Sequence, residues 1–520
     1  MLKIAEKNPT VGDKVAAAVL KKKDPSPGGR AHLSLGAGSS TLKVLVNAPK
    51  GILQKKQVTA EELHAFCLDL DLTIVKEKKM GAKLNEWFKK GTMEPGYHEM
   101  LRDMSRMVAG HFHIAELDFK MNDTDSNLET YPVWAVNDLD DYISFIHDNR
   151  KVNYGTTTIL LGTDKGQKYL KFTLQVIDNA ELEGTASNVK HKTTGVNRLH
   201  YFALCDKRVE ENHFNVGVVF NHVKAQLVKY QFASDLKMLN IFFGKQSCAS
   251  THPCYICPAT KKDFLNPNLP LETPESSMRN YNAWIANGKG IRSDLKDYNS
   301  QEFPPIGVEH MSEDELQQPY LLMCHPPPLH LLLSTNHLVQ ALEKAWEFGV
   351  RRWMRQAFQS FRNYFGKTLE GNQCSSLISN YGILEQLVEN YGRRDLMCFV
   401  KCFKNLNAVK TAVFGLRLDP NYVAIINDFQ DSLVALDEYH KVSITVKFHM
   451  ICVHVKQYCQ MTNKSLQLNE QSLESSHSRF KKIVSRFAGA NPDTDSPLYA
   501  LNVLRALEFF CSAAAFRDSL

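Results

Sequence analysis

The 520-residue chain has no long apolar run. Its strongest, Tyr320–Leu333, is interrupted by His325 and by Pro326-Pro327-Pro328, short of the roughly eighteen or more apolar residues of a spanning helix. No membrane span is expected. The N-terminus carries Lys3, Glu6 and Lys7 with no apolar core behind them, so it does not read as a secretory leader. Cysteine is sparse, twelve in all, and only Cys254 and Cys257 have metal-ligand spacing. That excludes a disulfide-built scaffold and leaves the other ten as reduced thiols in cores. Gly162 and Gly166 form no phosphate-binding fingerprint, and no Ser/His/Asp or Cys/His nucleophile arrangement is defensible. A hydrophobic fraction of 43% and a mean hydropathy of −0.30 are ordinary for a globular protein. The chain reads as intracellular, with several subdomains at this length.

Charge is modest overall, +6, but unevenly placed. Residues 1–60 hold eleven Lys/Arg, including Lys21-Lys22-Lys23 and Lys55-Lys56, against Glu6, Asp13 and Asp24. That segment is +8 and the remaining 460 residues are −2. A basic arm on a near-neutral body suits a tether to nucleic acid, and equally a solvated tail or nuclear-import signal.

Residues 1–55, with breakers at Pro25–Gly29 and Gly36–Ser40, read as a weakly ordered basic arm. Residues 56–150 read as mostly helical, a DNA-binding or dimerisation region. From residue 156 the texture changes. Thr156–Thr163 has strand length and composition, Gly166-Gln167 reads as a turn, and Lys168–Ile177 alternates with period two. A third strand at Leu199–Leu204, a helix near Asn215–Leu227 and a strand at Val228–Phe232 complete a β-β-β-α-β order. The 151–245 segment is thus expected to be the first half of an RNase H-like core. Residues 246–440 are expected to be a mainly helical insertion, 441–495 the second half of the core, and 496–520 a tail.

Asp164 ends the first of these strands and Asp235 follows the fourth. In an RNase H-like sheet those ends are adjacent, and paired carboxylates there can share divalent cations for phosphoryl transfer. Singly, each Asp is more often a turn or cap residue. A third acid is expected on a C-terminal helix, where Glu470, Glu474, His477 and Lys481 line one face beside Leu473, Phe480, Val484 and Phe487. A solvated amphipathic face is the alternative. If they pair across almost 200 residues, Cys254-x-x-Cys257 and His449 with His454 would supply two thiolates and two imidazoles, the tetrahedral set of structural zinc. A redox-active or merely buried Cys-x-x-Cys is the alternative. Five residues is slightly wide for one face of an α-helix. His325 and His330 flank a proline-stopped helix start, and Arg351, Arg352 and Arg355 near Trp353 read as a solvated face, with phosphate contact as the alternative.

The order Asp164, Asp235, Cys254-x-x-Cys257, His449-x4-His454 and Glu474 resembles Transib-type transposases and the catalytic subunit of the vertebrate V(D)J recombinase. The matching segments are 155–180, 230–258 and 445–487, about a fifth of the chain. The resemblance implies an α/β fold with a DDE-type RNase H-like core and a large helical zinc-containing insertion. It also implies Asp164, Asp235 and Glu474, with Glu470 the alternative, as a catalytic triad for two Mg2+ or Mn2+ ions. Cys254, Cys257, His449 and His454 would hold one Zn2+. The implied partners are double-stranded transposon ends, a second copy of the chain and possible accessory subunits, in the nucleus. A non-catalytic DNA- or chromatin-binding derivative and a nuclease without strand transfer are the other readings. The first cysteine is Cys67, so no N-terminal cysteine-rich module of the family's kind is present.

Overall fold

The computed structural model describes residues 107–150, 156–166, 168–179, 199–225, 229–288, 291–324, 326–357, 368–415, 417–466 and 480, with two strands near the N-terminus. The chain divides into two compact units. In the first, Met1–Gly110 with Glu508–Leu520, β1 (His32–Leu35) and β2 (Leu42–Leu45) pair antiparallel on either side of the expected Gly36–Ser40 break. The expected tail at 496–520 lies outside the described residues.

The second unit, His111–Leu507, is built on a six-stranded mixed sheet. Its strands are β3 (Phe112–Phe119), β4 (Glu129–Val136), β5 (Thr157–Asp164), β6 (Lys171–Asp178), β7 (His200–Cys205) and β8 (Gln231–Phe232). They lie in the order β3-β4-β7-β6-β5-β8, with every pairing antiparallel except that of β5 with β8. The helices α1 (Leu139–Arg150), α2 (His213–His222) and α3 (Leu236–Phe242) complete this α/β layer. The element order β5-β6-β7-α2-β8 is the one read from sequence.

Within the expected helical region 56–150, residues 56–106 lie outside the described residues and Leu139–Arg150 is helical as expected. Residues 112–136 are corrected to the strands β3 and β4, which extend the same sheet. Phe112, Ala115 and Phe119 recur at three- and four-residue spacing, which imitates a helix face. The strand instead lies at the sheet edge, where Ile114 is left 49% exposed. Pro132 also argues against an interior strand. It stands one residue before the β4–β7 register begins at Val133, and there only its carbonyl is used, accepting from Asp206 N at 3.3 Å.

The period-two pattern of β6 predicts one wet face, yet Lys171, Thr173 and Gln175 are as buried as Phe172 and Leu174. Phe172, with Phe202 and Phe232, meets Phe220 of α2 on one face. On the other, Phe480 covers Lys171, Tyr169 and Tyr201. A central strand covered on both sides must satisfy its polar positions internally, and Thr173 does so by donating to the Gly162 carbonyl.

Beyond α3 the chain is largely helical: α4 (Pro274–Ala286), α5 (Thr335–Ala357), α6 (Gly371–Ser379), α7 (Tyr381–Asn390), α8 (Met397–Val413) and α9 (Tyr422–His440). Thr273 caps α4 in a reciprocal capping box with Ser276, with Pro274 in its first turn. His330 lies in the short proline-started helix Pro328–Leu332, and His325 is outside the described residues. No described helix is long and apolar enough to cross a membrane.

Candidate metal centre and carboxylate site

Two chemically distinct clusters adjoin α3. The first is the Cys/His set. Cys254 and Cys257 stand in the loop after α3, and His449 ends the short helix α10 (Val446–His449). The chain then makes a π-helical segment, Met450–Val455, before α11 (Lys456–Thr462). An α-helix turns about 100° per residue, so positions five apart lie roughly 140° apart around it. Bonding from i to i+5 widens the turn and stacks such positions over one another. That local widening brings His449 and His454 to one face, resolving the mismatch in their spacing.

The four side chains converge although their contacts span 192 to 200 residues. Cys254 Sγ is 3.3 Å from His454 Nε2, and Cys257 Sγ is 3.2 Å from His449 Nε2 and 3.3 Å from His454 Nε2. All ligand atoms lie within 4.8 Å of one another, and every residue is buried. A zinc tetrahedron with bonds of about 2.3 Å to sulfur and 2.0 Å to nitrogen has S···N edges of about 3.5 Å, so an ion needs only a few tenths of an ångström of expansion. Both imidazoles are oriented from behind. His449 Nδ1 donates to the Phe264 carbonyl at 2.7 Å, and His454 Nδ1 donates to Gln457 Oε1 at 2.7 Å. Those bonds fix the proton on Nδ1 and leave the Nε2 lone pairs facing the thiols, as a metal-binding histidine requires. Burial opposes a charged Cys254, but Cys257 and the two histidines hold its thiol well below the usual range. The neighbouring Cys254 sulfur pushes Cys257 upward. Two adjacent thiolates repel, and a dication removes that conflict. The cluster therefore suits a structural Zn2+.

The second cluster lies where β5 and β8 end. Their parallel register pairs Leu160 with Gln231 and Leu161 with Phe232. It continues through the bond from Ala233 N to Leu161 O, 2.9 Å, and from Thr163 N to Ser234 Oγ, 3.2 Å. Asp164 ends β5, and Asp235 follows three residues after β8, so both lie toward the same end of the sheet. Asp235 also caps α3, its carboxylate accepting from Met238 N at 2.6 Å. Asp164 pairs across the ladder with Lys171, whose fully buried ammonium is 3.6 Å from Asp164 Oδ2 and donates to Gly166 O at 2.8 Å. Phe480 lies over that ammonium at 5.1 Å. Glu470 and Glu474 are outside the described residues.

A third acid here was not legible in the sequence. Glu211 precedes Asn212, the cap of α2, and looks like a helix-start residue. The fold turns it inward. Burial raises its carboxyl above the ordinary glutamate value, Asp235 and Asp164 add repulsion, and its ion pair with Lys237 opposes the shift. Nothing in spacing alone pointed to it. Among the described residues only the Cys/His set closes as a group of three or more metal-ligand side chains. Of the acids, Asp164 is paired with Lys171 and Glu211 with Lys237.

A folded-state carboxyl raised above its unfolded value favours folding below that unfolded value, and this contribution disappears as pH rises through the folded value. The stability of Glu211→Gln minus that of wild type should therefore increase as pH climbs past 4.5, the ordinary glutamate value. Thermal melts across pH in Mg2+-free buffer check this, and a difference that is flat with pH would refute the raised carboxyl.

The two clusters are mechanically linked. Asn240 on α3 donates to the Leu236 carbonyl and to Cys248 Sγ, at 2.9 and 3.1 Å. Phe243 at the end of α3 stacks on Tyr255, between the two cysteines, at 5.4 Å. Burial lowers the Lys447 ammonium, two residues before His449, and Cys248, Cys374 and Asp235 partly restore it.

No protein-family model matches the chain, and no curated protein matches it.

Proposed function

We propose that this chain is a metal-dependent DNA strand transferase of the transposase and recombinase type, with an RNase H-like core that its zinc-binding insertion braces. The observation that carries the reading is the parallel register of β5 and β8, after which Asp164 and Asp235 follow toward the same end of the sheet. The order β7-β6-β5-β8, with β8 alone parallel to β5, agrees with such a core. Glu211 adds a carboxylate just before α2, and Phe480, six residues after Glu474, lies over Lys171, the ion-pair partner of Asp164.

The donors are hard carboxylate oxygens, which suit Mg2+ or Mn2+ better than softer metals. Divalent cations bound there would activate water or a 3′-hydroxyl and stabilise the leaving oxygen. Asp164 and Asp235 would hold them, and Lys171 would keep the Asp164 carboxylate in place beneath Phe480. The Cys254, Cys257, His449 and His454 set would carry Zn2+ in a structural role. Double-stranded DNA ends are the proposed substrate, a paired dimer the proposed assembly and the nucleus the proposed site of action.

Lys171 and Lys237 neutralise part of the acid cluster without any metal, an observation that favours a non-catalytic DNA-binding derivative as the second reading. Supercoiled plasmid incubated with Mg2+ or Mn2+ separates the two. Wild type should nick and join strands only with the metal, and Asp164→Asn should do neither. The same products from both proteins would end the catalytic reading, and DNA binding without cleavage would select the second.

A further inference from the structure

Far along the helical insertion, α5 kinks where Trp346 leaves helical geometry, with φ −159° and ψ 70°. Its indole then lies flat against Gly349, where a Cβ would come within 2.1 Å of the ring. Tyr391, just past α7, stands edge-on between Trp346 and Phe348, with centroids 5.7 and 5.5 Å away. These rings are not core. Phe348 is 55% and Tyr391 45% exposed, whereas Trp353, the aromatic that the sequence placed beside the arginines, is fully buried and donates to the Asn380 carbonyl.

Guanidinium groups frame the rings. Arg393 lies 5.7 Å over Trp346, and Arg352 lies 5.7 Å over Tyr391 while donating to its hydroxyl at 2.6 Å. Arg351 and Arg393 are held by Glu347 and Asp395. Arg352, Arg355 and Arg394 are exposed and have no carboxylate partner among the described residues. Phe348, Arg352 and Arg355 follow one another at i, i+4 and i+7 on the outer face of α5.

We infer that this platform binds single-stranded nucleic acid, bases stacking on Phe348 and Tyr391 while Arg352, Arg355 and Arg394 grip phosphates. Ring faces recognise any unpaired base, and guanidinium forks match phosphate oxygens. A duplex hides its base faces, so the exposed rings favour single strands. An acidic peptide would satisfy the arginines but would leave the ring faces unused. The inference goes beyond the proposed reaction and does not rest on Asp164 or Asp235.

Fluorescence anisotropy of a labelled oligothymidylate with the full chain, in Mg2+-free buffer, tests it. Phe348→Ala should weaken single-strand binding about tenfold or more and leave duplex binding nearly unchanged. The double variant Arg352→Ala with Arg355→Ala should weaken binding and flatten its salt dependence. Both variants change exposed residues, so melting temperature and zinc content should match wild type. Asp164→Asn should bind as wild type does, whatever its activity. Wild-type affinity in both platform variants would overturn the inference, as would equal loss of duplex binding in Phe348→Ala. Capture of polyglutamate in place of the oligonucleotide would overturn it too, assigning the surface to an acidic protein.

Discussion

Cys254→Ser should lose about one equivalent of zinc and lower the melting temperature by roughly 10 °C or more. The size follows from what the ion joins. Cys254 and His454 are 200 residues apart, so a bound ion would close a very long loop whose cost the unfolded chain does not otherwise meet. It would also neutralise a buried thiol pair and occupy two imidazole lone pairs, on rings that the Phe264 carbonyl and Gln457 hold in place. Without it, the cluster keeps buried polar groups that have each other as partners but cannot all be satisfied in one protonation state. Loss of several kcal/mol is the expected order for a structural zinc, and a domain of this size shifts by a few degrees per kcal/mol. The effect should spread. Asn240 and Phe243 of α3 rest on the knuckle loop, so amides in Leu236–Phe242 should exchange hydrogen faster in the variant. Elemental analysis, thermal melting and hydrogen exchange read the three consequences separately. A variant that keeps its full metal complement would refute the assignment at its first step.

How far the sequence reached depended on how local each signal was. The hairpin of β5 and β6 declares itself through alternation across a turn, and β7, α2 and β8 follow at ordinary spacings. β3 does not, because an edge strand tolerates an exposed Ile114 and so blurs its own period. The Cys-x-x-Cys knuckle was visible from spacing, but its joining to the histidines depended on a π-helical turn that no composition rule announces. Asp164 and Asp235 were legible as acids after strands, and the parallel register of β5 with β8 directs both toward one end of the sheet. Glu211 was invisible, since its importance comes from α2 folding back over the sheet rather than from its own neighbours in sequence. Lys171 was read as the polar half of an alternation, and only the second covering layer makes it a buried cation.

Asp235→Asn should abolish metal-dependent DNA cleavage while leaving the fold almost untouched. Two roles meet at Asp235, and this substitution separates them. Asparagine caps a helix about as well as aspartate, so the bond from Met238 N and the start of α3 should survive. Removing one charge also relieves the repulsion that Glu211 feels from Asp235, so stability at neutral pH should stay within about 0.5 kcal/mol of wild type or rise slightly. The amide, however, is a far weaker ligand for a hard divalent cation than the carboxylate. Loss of an electrostatic contact that acts in the transition state lowers turnover by roughly a hundredfold to a thousandfold, far above any change traceable to folding. Asp164→Ala is the less clean variant, because it removes a carboxylate 3.6 Å from a fully buried ammonium and should destabilise the sheet as well. Parallel melts and plasmid-cleavage rates for Asp235→Asn therefore decide whether this carboxylate serves chemistry or only α3. A variant with wild-type turnover makes Asp235 a cap and nothing more, whereas lost turnover at wild-type melting temperature leaves the metal-binding role as the one that accounts for both results.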